Sequence, residues 1–356
     1  MKTDLKGLDA SQTEAWAAQL GLEPYRGRQI RHWLMNRLAR SFDEMTNIPQ
    51  TLRDQLKASV HLNPLTLVKT EHSRDTTRKY LFKLRDGHFI ESVLIPERDH
   101  FTLCISSQAG CAMGCRFCAT GRQGLRRNLK ASEIIEQAIW IKRDMAHPQQ
   151  LTNVVLMGMG EPLANYEAVL TAVKNLISED GLNLSHRRVT LSTSGLVPQM
   201  ERLGRDVTIN LAVSLNAADD KTRSFLMPVN QTYPLNLLMD ACRRFPLPNR
   251  RMLTFEYILI KGINDRDRDA YNLMALIGGM RAKINLIPFN PFPGSELSAP
   301  SMDRVLGFQN RLMENHFTTM VRKSKGQDIS AACGQLSGTL DKDQHHEPLG
   351  PPGPRT

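Results

Sequence analysis

No run of eighteen apolar residues occurs in the 356-residue chain, so no segment is expected to cross a bilayer as a helix. The opening stretch MKTDLKGLDASQTEAW lacks the apolar core of a secretory signal, which disfavours export. Both absences lead to the expectation of a cytoplasmic protein with no membrane partner. A disulfide framework is also missing. Six cysteines in a chain of this length, three of them clustered, read instead as metal or redox chemistry in a reducing compartment. There is no internal repeat beyond an alternation of strand and helix. What is abundant is positive charge: the formal net charge of +10 favours a polyanionic partner, nucleic acid first, because each Lys or Arg that neutralises a phosphate releases a counterion. Mild basicity by itself is common among soluble proteins. The 41% hydrophobic content is ample for a buried core, and the length suits one large domain or two moderate ones.

The first eighty or so residues read as helical, with amphipathic stretches from Glu14 to Leu20, Arg28 to Leu38 and Pro49 to Val60. They predict a small accessory, RNA-binding module over 1–75. Its Arg26, Arg28, Arg31, Arg37 and Arg40 offer either a nucleic-acid face or a solvated helix surface. At 78–96, RKYLFKLRDGHFIESVLIP alternates around Asp86-Gly87, a dipeptide of tight hairpin turns, which predicts a β-hairpin linker over 76–97. Six short apolar or β-branched runs follow, FTLCIS, NVVLM, RVTLS, INLAVSL, LTFEYILI and KINLIPF, separated by helix-like segments that begin near Ala131, Tyr166, Val197, Asp219, Pro234 and Asp267. This alternation predicts an α/β fold over 98–336, with a parallel sheet curled into a full or partial barrel. A further strand near Thr318 to Val321 would cover one edge. The proline-rich, polar residues 337–356 read as a disordered tail.

Cys111, Cys115 and Cys118 are spaced C-x3-C-x2-C directly after the first strand of this alternation, where the active-site loops of such barrels lie. An iron-sulfur cluster usually takes four thiolates, so three leave one iron open to a further ligand. A structural zinc site would want a fourth Cys or His nearby and paired C-x2-C knuckles. No second knuckle follows, and the nearest downstream histidine is His147. Chance grouping of buried thiols is the remaining alternative.

Gly158-Met159-Gly160-Glu161-Pro162 follows the second strand, where glycines permit close backbone approach and the carboxylate could hold a cationic group. An ordinary strand-to-helix turn would look the same. Ser192-Thr193-Ser194-Gly195, Ser214-Leu215-Asn216 and Asn290 follow later strands and would meet on the same rim, a polar surface suited to a nucleoside and amino-acid ligand. Cys104, within the first strand, and Cys333, in the segment Asp328 to Leu336, are either structural thiols or reactive ones; Cys242 reads as core. Glu91 lies among apolar neighbours on the hairpin, where it faces solvent or works as a base.

C-x3-C-x2-C with Phe117 before its last cysteine resembles the radical S-adenosylmethionine signature. Together with MGMGEP, LSTSG, SLN, LIPFNPFPG and the DISAACGQL ending, it is similar to the RlmN/Cfr group of RNA adenine methyltransferases over about Tyr25 to Leu336. The resemblance implies a partial (β/α)6 radical S-adenosylmethionine barrel with a small N-terminal helical accessory domain. It also implies a [4Fe-4S] cluster on Cys111, Cys115 and Cys118, and S-adenosyl-L-methionine, two per turnover, among Gly160, Glu161, Ser192, Ser214, Leu215, Asn216 and Asn290. Family members often carry His where this chain has Asn216; an amide still donates and accepts. Cys333 is implied as the carrier of an S-methyl group, Cys104 as the thiol that releases product through a transient disulfide, and Glu91 as proton acceptor. The implied partners are 23S rRNA near the peptidyl transferase centre, tRNA beside the anticodon, and an electron donor such as flavodoxin. The implied reaction is methylation of adenine C2, with C8 methylation of the same rRNA adenosine as the alternative. The target base would be unpaired or extruded, and Arg116, Arg122, Arg126, Arg127 and Lys130, uninterrupted by acid, would line the RNA path.

Overall fold

The computed structural model describes residues 2–339; the expected tail from 340 onward lies outside the described residues. Helices α1 (Ala10–Gln19), α2 (Pro24–Met35) and α3 (Gln50–Ser59) form the N-terminal module. Asp9 and Gln12 cap the start of α1 reciprocally, with bonds of 2.8 and 3.0 Å, and Pro24 opens α2 where no N–H is needed. Their buried faces, including Ile30, Leu34, Met35, Leu52 and Leu56, are continuous with the main core.

The sheet begins earlier than expected. β1 (Leu65–His72) pairs antiparallel with β2 (Arg78–Leu84), and β2 with β3 (Phe89–Pro96). The expectation that helical structure runs to residue 75 fails here, because β1 is an edge strand with only Leu65 fully buried. Such a strand carries little apolar signal. Asp86-Gly87 makes the turn between β2 and β3, with Gly87 at φ 89°.

β3 pairs antiparallel with β4 (Phe101–Cys104). A small antiparallel pair, β5 (Gln108–Gly110) and β6 (Leu125–Asn128), then brackets the short helix α4 (Ala119–Arg122). The parallel units follow: α5 (Ala131–Asp144), β7 (Leu151–Leu156), α6 (Tyr166–Ile177), β8 (Val189–Thr193), α7 (Val197–Asp206), β9 (Asn210–Ser214), α8 (Asp220–Leu226) and α9 (Leu235–Arg244). β10 (Leu253–Leu259), α10 (Asp267–Ile277), β11 (Ala282–Pro288), α11 (Met302–Glu314) and β12 (Thr318–Val321) complete the chain of elements. Sheet order is β1-β2-β3-β4-β7-β8-β9-β10-β11-β12, with every neighbour pair from β4 to β12 parallel. This is the α/β barrel sheet, entered through an antiparallel apron. Among the described residues no helix is long and apolar enough to cross a membrane.

Buried charge docks the N-terminal module onto α5. Lys6 Nζ donates to Glu136 at 2.5 Å, both side chains being almost fully buried, and Arg143 reaches the other Glu136 oxygen at 3.1 Å. Arg31 is 3% exposed and donates to the Leu8 carbonyl and Asn175, each at 2.9 Å, so it is a structural tie and no part of a nucleic-acid face. Removing one member of a buried ion pair costs about 3–5 kcal/mol. Lys6→Ala is therefore expected to lower stability to urea by about 3 kcal/mol; a parent-like unfolding midpoint would show that Arg143 alone satisfies Glu136.

Candidate active site

The cysteine loop is held at both ends. Where β5 turns into it, Cys111 N–H donates to the Gly124 carbonyl at 3.0 Å, and Gly110 sits at φ 76° with space for a Cβ only 2.0 Å from that same oxygen, so a side chain there is excluded. At the far end, Ala119 N–H donates to the Gly334 carbonyl at 2.7 Å and Thr120 Oγ1 to the Leu336 carbonyl at 2.5 Å. Arg116 N–H reaches the Leu226 carbonyl at 3.0 Å. The loop is thereby stitched to α8 and to the segment that carries Cys333.

Cys111, Cys115 and Cys118 open onto one cavity of about 150 Å³, walled also by Gly160, Glu161, Ser192, Ser194, Ser214, Asn216, Glu256 and Cys333. Four strand ends thus supply one rim. Gly160 adopts φ 99° and packs so closely on Gln108 that a Cβ would come within 2.5 Å of it. Both Glu161 oxygens are held by backbone: one accepts from Ser194 N–H at 2.7 Å, the other from Leu163 N–H at 3.0 Å. Burial raises this carboxyl above the ordinary glutamate range, against those hydrogen bonds.

Two residues expected on this rim stand elsewhere. Leu215 is wholly buried in the core, and its backbone is engaged at both groups: the carbonyl accepts from Arg223 Nε at 3.1 Å and the N–H donates to the Glu256 carbonyl at 3.0 Å. Asn290 lines an adjoining cavity, where its amide donates to the Cys333 carbonyl at 3.1 Å and accepts from Gln327 at 2.8 Å. Asn216 is at φ 59° and fully buried; its side-chain oxygen accepts from Ile258 N–H at 2.8 Å.

Glu256 and Arg223 escaped the sequence reading, whereas Ser194 was expected on the rim. Arg223 is a fully buried guanidinium that collects the Ser194 carbonyl at 2.8 Å, Asn230 at 2.8 Å and the Ser214 carbonyl at 3.3 Å, and so braces the rim from below. Ser194 Oγ and Glu256 Oε2 are buried without a hydrogen-bond partner, and both residues line the cavity. The one available signal was a charged residue inside the apolar run LTFEYILI.

These features fit an iron-sulfur cluster with a polar organic ligand. Among the described residues no three His, Cys, Asp or Glu side chains are gathered as a single-ion site; the three thiols instead share the wall of one cavity, as a cluster with one iron per thiolate needs. Orphaned buried polar atoms in the same wall match a ligand with hydroxyl and ammonium groups. Burial pushes the Cys111 thiol up to about 12 and raises Cys115 and Cys118 as well, so loading iron releases protons.

Cys333 is exposed and borders both this cavity and a second one of about 330 Å³, which it shares with Cys104 and Arg322. Both cysteines are free thiols. Burial first, and the neighbouring Cys333 second, push Cys104 up to about 12. Glu91 is 3% exposed, which removes the solvent-facing alternative. One oxygen accepts from Ser337 N–H at 2.7 Å and Gly338 N–H at 2.8 Å, and the other faces Lys79 Nζ at 3.3 Å. Residues 337–339, assigned to the tail by sequence, are therefore part of the site wall. Of the basic loop, Arg127 is committed to Asp86 and to both Glu133 oxygens, because β6 brings it beside them, whereas Arg122 and Arg126 are exposed.

Comparison with known proteins identifies two regions. Residues 105–274 match the Radical SAM superfamily, and residues 3–62 match the ribosomal RNA large subunit methyltransferase N-terminal domain. A dual-specificity RNA methyltransferase RlmN of Syntrophobacter fumaroxidans is 51% identical over 332 residues, covering 93% of this chain and 97% of that protein. The protein of the same name from Geobacter sulfurreducens is 52% identical over 338 residues, 95% of this chain and 93% of its own. The crystal structure of a radical SAM methyltransferase from Sphaerobacter thermophilus superposes with a TM-score of 0.91 at 45% identity, covering 95% of this chain and all of that one. The cofactors are accordingly a [4Fe-4S] cluster and S-adenosylmethionine.

Burial lifts the Glu256 carboxyl above the ordinary glutamate range, opposed by Arg322, Asn285 and Lys283. The folded state then binds this proton more tightly than the unfolded chain, so the group's contribution is most favourable at low pH and declines as pH rises past the unfolded value. Glu256→Gln is expected to raise the melting temperature of the cofactor-free protein more at about pH 8 than at about pH 5; an equal shift at both would show that Glu256 titrates normally.

Proposed function

Because the chain belongs to the RlmN family of radical S-adenosylmethionine RNA methyltransferases, we propose that it methylates C2 of an adenosine in 23S rRNA and of the adenosine 3′ to the anticodon in tRNA. Adenine C2 is an electron-poor carbon that cannot displace a methyl group from a sulfonium directly. When bound, the cluster and S-adenosylmethionine supply the methyl group and the radical chemistry that such a carbon requires.

The observation that carries this reading is the placement of Cys333. It is the cysteine that borders both the cavity of Cys111, Cys115 and Cys118 and the cavity of Cys104. A methyl group taken up on Cys333 from the first cavity, once it has lost one hydrogen atom to the radical that the cofactors would supply, can bond to C2 while still attached to the sulfur, which stays within the cavity of Cys104; one electron would return to the cluster. Cys104 then attacks the Cys333 sulfur and breaks its bond to that carbon, which takes up a proton as the methylated base leaves, and a disulfide remains between the two cysteines. Glu91 accepts the proton that C2 gives up. Its carboxylate is presented on β3, one strand away from Cys104 on β4, whose register sets Cys104 opposite Val93. Asn290 holds the Cys333 carbonyl and so fixes the segment that carries the methyl group. Exposed Arg122 and Arg126 face the RNA, and the electron donor is a flavodoxin-type protein.

Anaerobic reconstitution with iron and sulfide, followed by reaction with S-adenosylmethionine, a reductant and RNA lacking the modification, tests this directly. Nuclease digestion and mass spectrometry should show 2-methyladenosine; 8-methyladenosine as sole product would place the chain on the C8 branch of the group. Cys333→Ser should bind RNA and yield no methylated base. Cys104→Ala should accumulate a covalent protein–RNA adduct visible on a denaturing gel, and its free turnover without such an adduct would remove Cys104 from the release step.

A further inference from the structure

The cavity of about 330 Å³ that holds Cys104 and Cys333 has Arg322 in its wall. Arg322 directly follows β12, and its N–H donates to the Leu286 carbonyl on β11 at 2.9 Å, which roots the side chain at the barrel mouth. Among the described residues its guanidinium has one carboxylate within reach, Glu256 Oε1 at 3.9 Å, too far for a hydrogen bond. That oxygen already accepts from Asn285 at 2.9 Å. A side chain with five donors thus stands 38% exposed beside two free thiols.

The charges around these thiols are few. Burial and the neighbouring Cys333 hold Cys104 in its protonated form, and what opposes them is the Met157 N–H on its sulfur and the Arg322 guanidinium. At Cys333 burial again acts upward, with Arg322 the largest influence in the other direction and Glu256 working against it. Lys323, Lys325 and Glu97 share the wall, but Lys323 and Glu97 are exposed and none of the three bears on either thiol. Glu91, on the strand beside β4, is already met by Lys79, Ser337 and Gly338. Arg322 is therefore the charged side chain that favours a thiolate at both sulfurs. A guanidinium suits that task because it stays charged at every pH at which a thiol titrates, and the thiolate, not the thiol, is the nucleophile in disulfide formation.

We propose that Arg322 is a positioning residue for the release step, holding Cys104 as the thiolate that attacks the Cys333 sulfur. The proposal rests on the RNA adenine methyltransferase reading above and deepens it. The Cys104 proton leaves to solvent along the partly exposed side of the cavity. The thiolate lone pair forms the sulfur–sulfur bond, and the electron pair of the bond between the Cys333 sulfur and the transferred carbon stays on that carbon, which takes a proton from solvent. The two sulfurs are oxidised to a disulfide as the carbon is reduced to methyl, so no further oxidant or reductant is needed.

The test uses the reconstituted full chain under anaerobic conditions. Labelling with iodoacetamide across a pH series, followed by peptide mapping, gives the alkylation rate at Cys104, with Cys242, buried on α9, as the internal control. Arg322→Gln should slow Cys104 labelling about tenfold at about pH 8, the change that a one-unit rise in thiol pKa produces, and leave Cys242 unchanged. Glutamine is the smaller side chain, so slower labelling cannot come from a blocked cavity. Arg322→Lys, which keeps the charge, should recover most of the rate. In a single turnover with RNA lacking the modification, Arg322→Gln should accumulate the protein–RNA adduct, and its decay should quicken as pH rises. Parent-like labelling of Cys104, equal changes at Cys104 and Cys242, or a loss of RNA binding with no adduct, the mark of a phosphate contact, would each overturn the proposal. Labelling needs no RNA, so a chain whose Cys104 reactivity depends on Arg322 and which forms no 2-methyladenosine would refute the earlier reading alone.

Discussion

The hydrogen bond from Ala119 N–H to the Gly334 carbonyl, with its companion from Thr120 to Leu336, is the contact on which the rest of the site depends. It joins the cysteine loop, which hangs from the first barrel strand, to a segment more than two hundred residues later. Together with the Asn290 bond to the Cys333 carbonyl, it fixes Cys333 relative to Cys111, Cys115 and Cys118. The backbone carries the tie, so side chains on both segments are free for chemistry. Gly334 at φ 85° makes the approach feasible, since a Cβ there would meet the Phe117 carbonyl at 2.8 Å.

The second constraint is the cost of buried charge. The barrel mouth contains Glu161, Glu256 and Arg223, all at most 5% exposed. Glu161 and Arg223 are satisfied almost entirely by backbone groups at the strand ends, which hold the rim in one geometry before any ligand arrives. Such preorganisation lowers the cost of binding. Glu256 is the exception: one oxygen takes a bond from Asn285 at 2.9 Å and the other takes none. A carboxylate left half satisfied inside a barrel is unfavourable for folding alone, which is consistent with its orphaned oxygen facing a cavity built for a ligand.

Much of this was legible in the chain. Apolar period and β-branched runs located all the parallel strands, and the helices α5 to α10 begin at or within one residue of where the alternation ends. The cysteine spacing singled out a loop whose three thiols share one cavity wall. Elements whose signal is not apolar were missed: β1 because it is an edge, and β5 and β6 because QAG and LRRN carry no apolar or β-branched run, unlike the similarly short β4 and β12. α11, although thirteen residues long and linking the parallel strands β11 and β12, buries only Val305, Phe308 and Leu312 and so shows a weak apolar pattern. The candidate site residues read from the chain sit mostly in loops after strands, with Glu91 and Cys104 inside β3 and β4. Arg223 and Glu256 act from within a helix and a strand, and their partners are set by long-range register that no local pattern encodes. The basic stretches misled in one respect. Arg31 and Arg127 count toward net charge, yet the fold spends them on internal ion pairs, so charge on a sequence overstates charge available to a partner.

The position of Glu91 ties the C-terminal strip to the antiparallel apron. A carboxylate only 3% exposed is unfavourable unless its oxygens are met, and here one accepts from the Ser337 and Gly338 N–H groups while the other faces Lys79. The two N–H donors lie four and five residues from Cys333, on the same strip. The strip is therefore gripped on two sides through its backbone groups, at Gly334 by the cysteine loop and at Ser337 and Gly338 by β3, and Cys333 is placed without a packed helix to carry it.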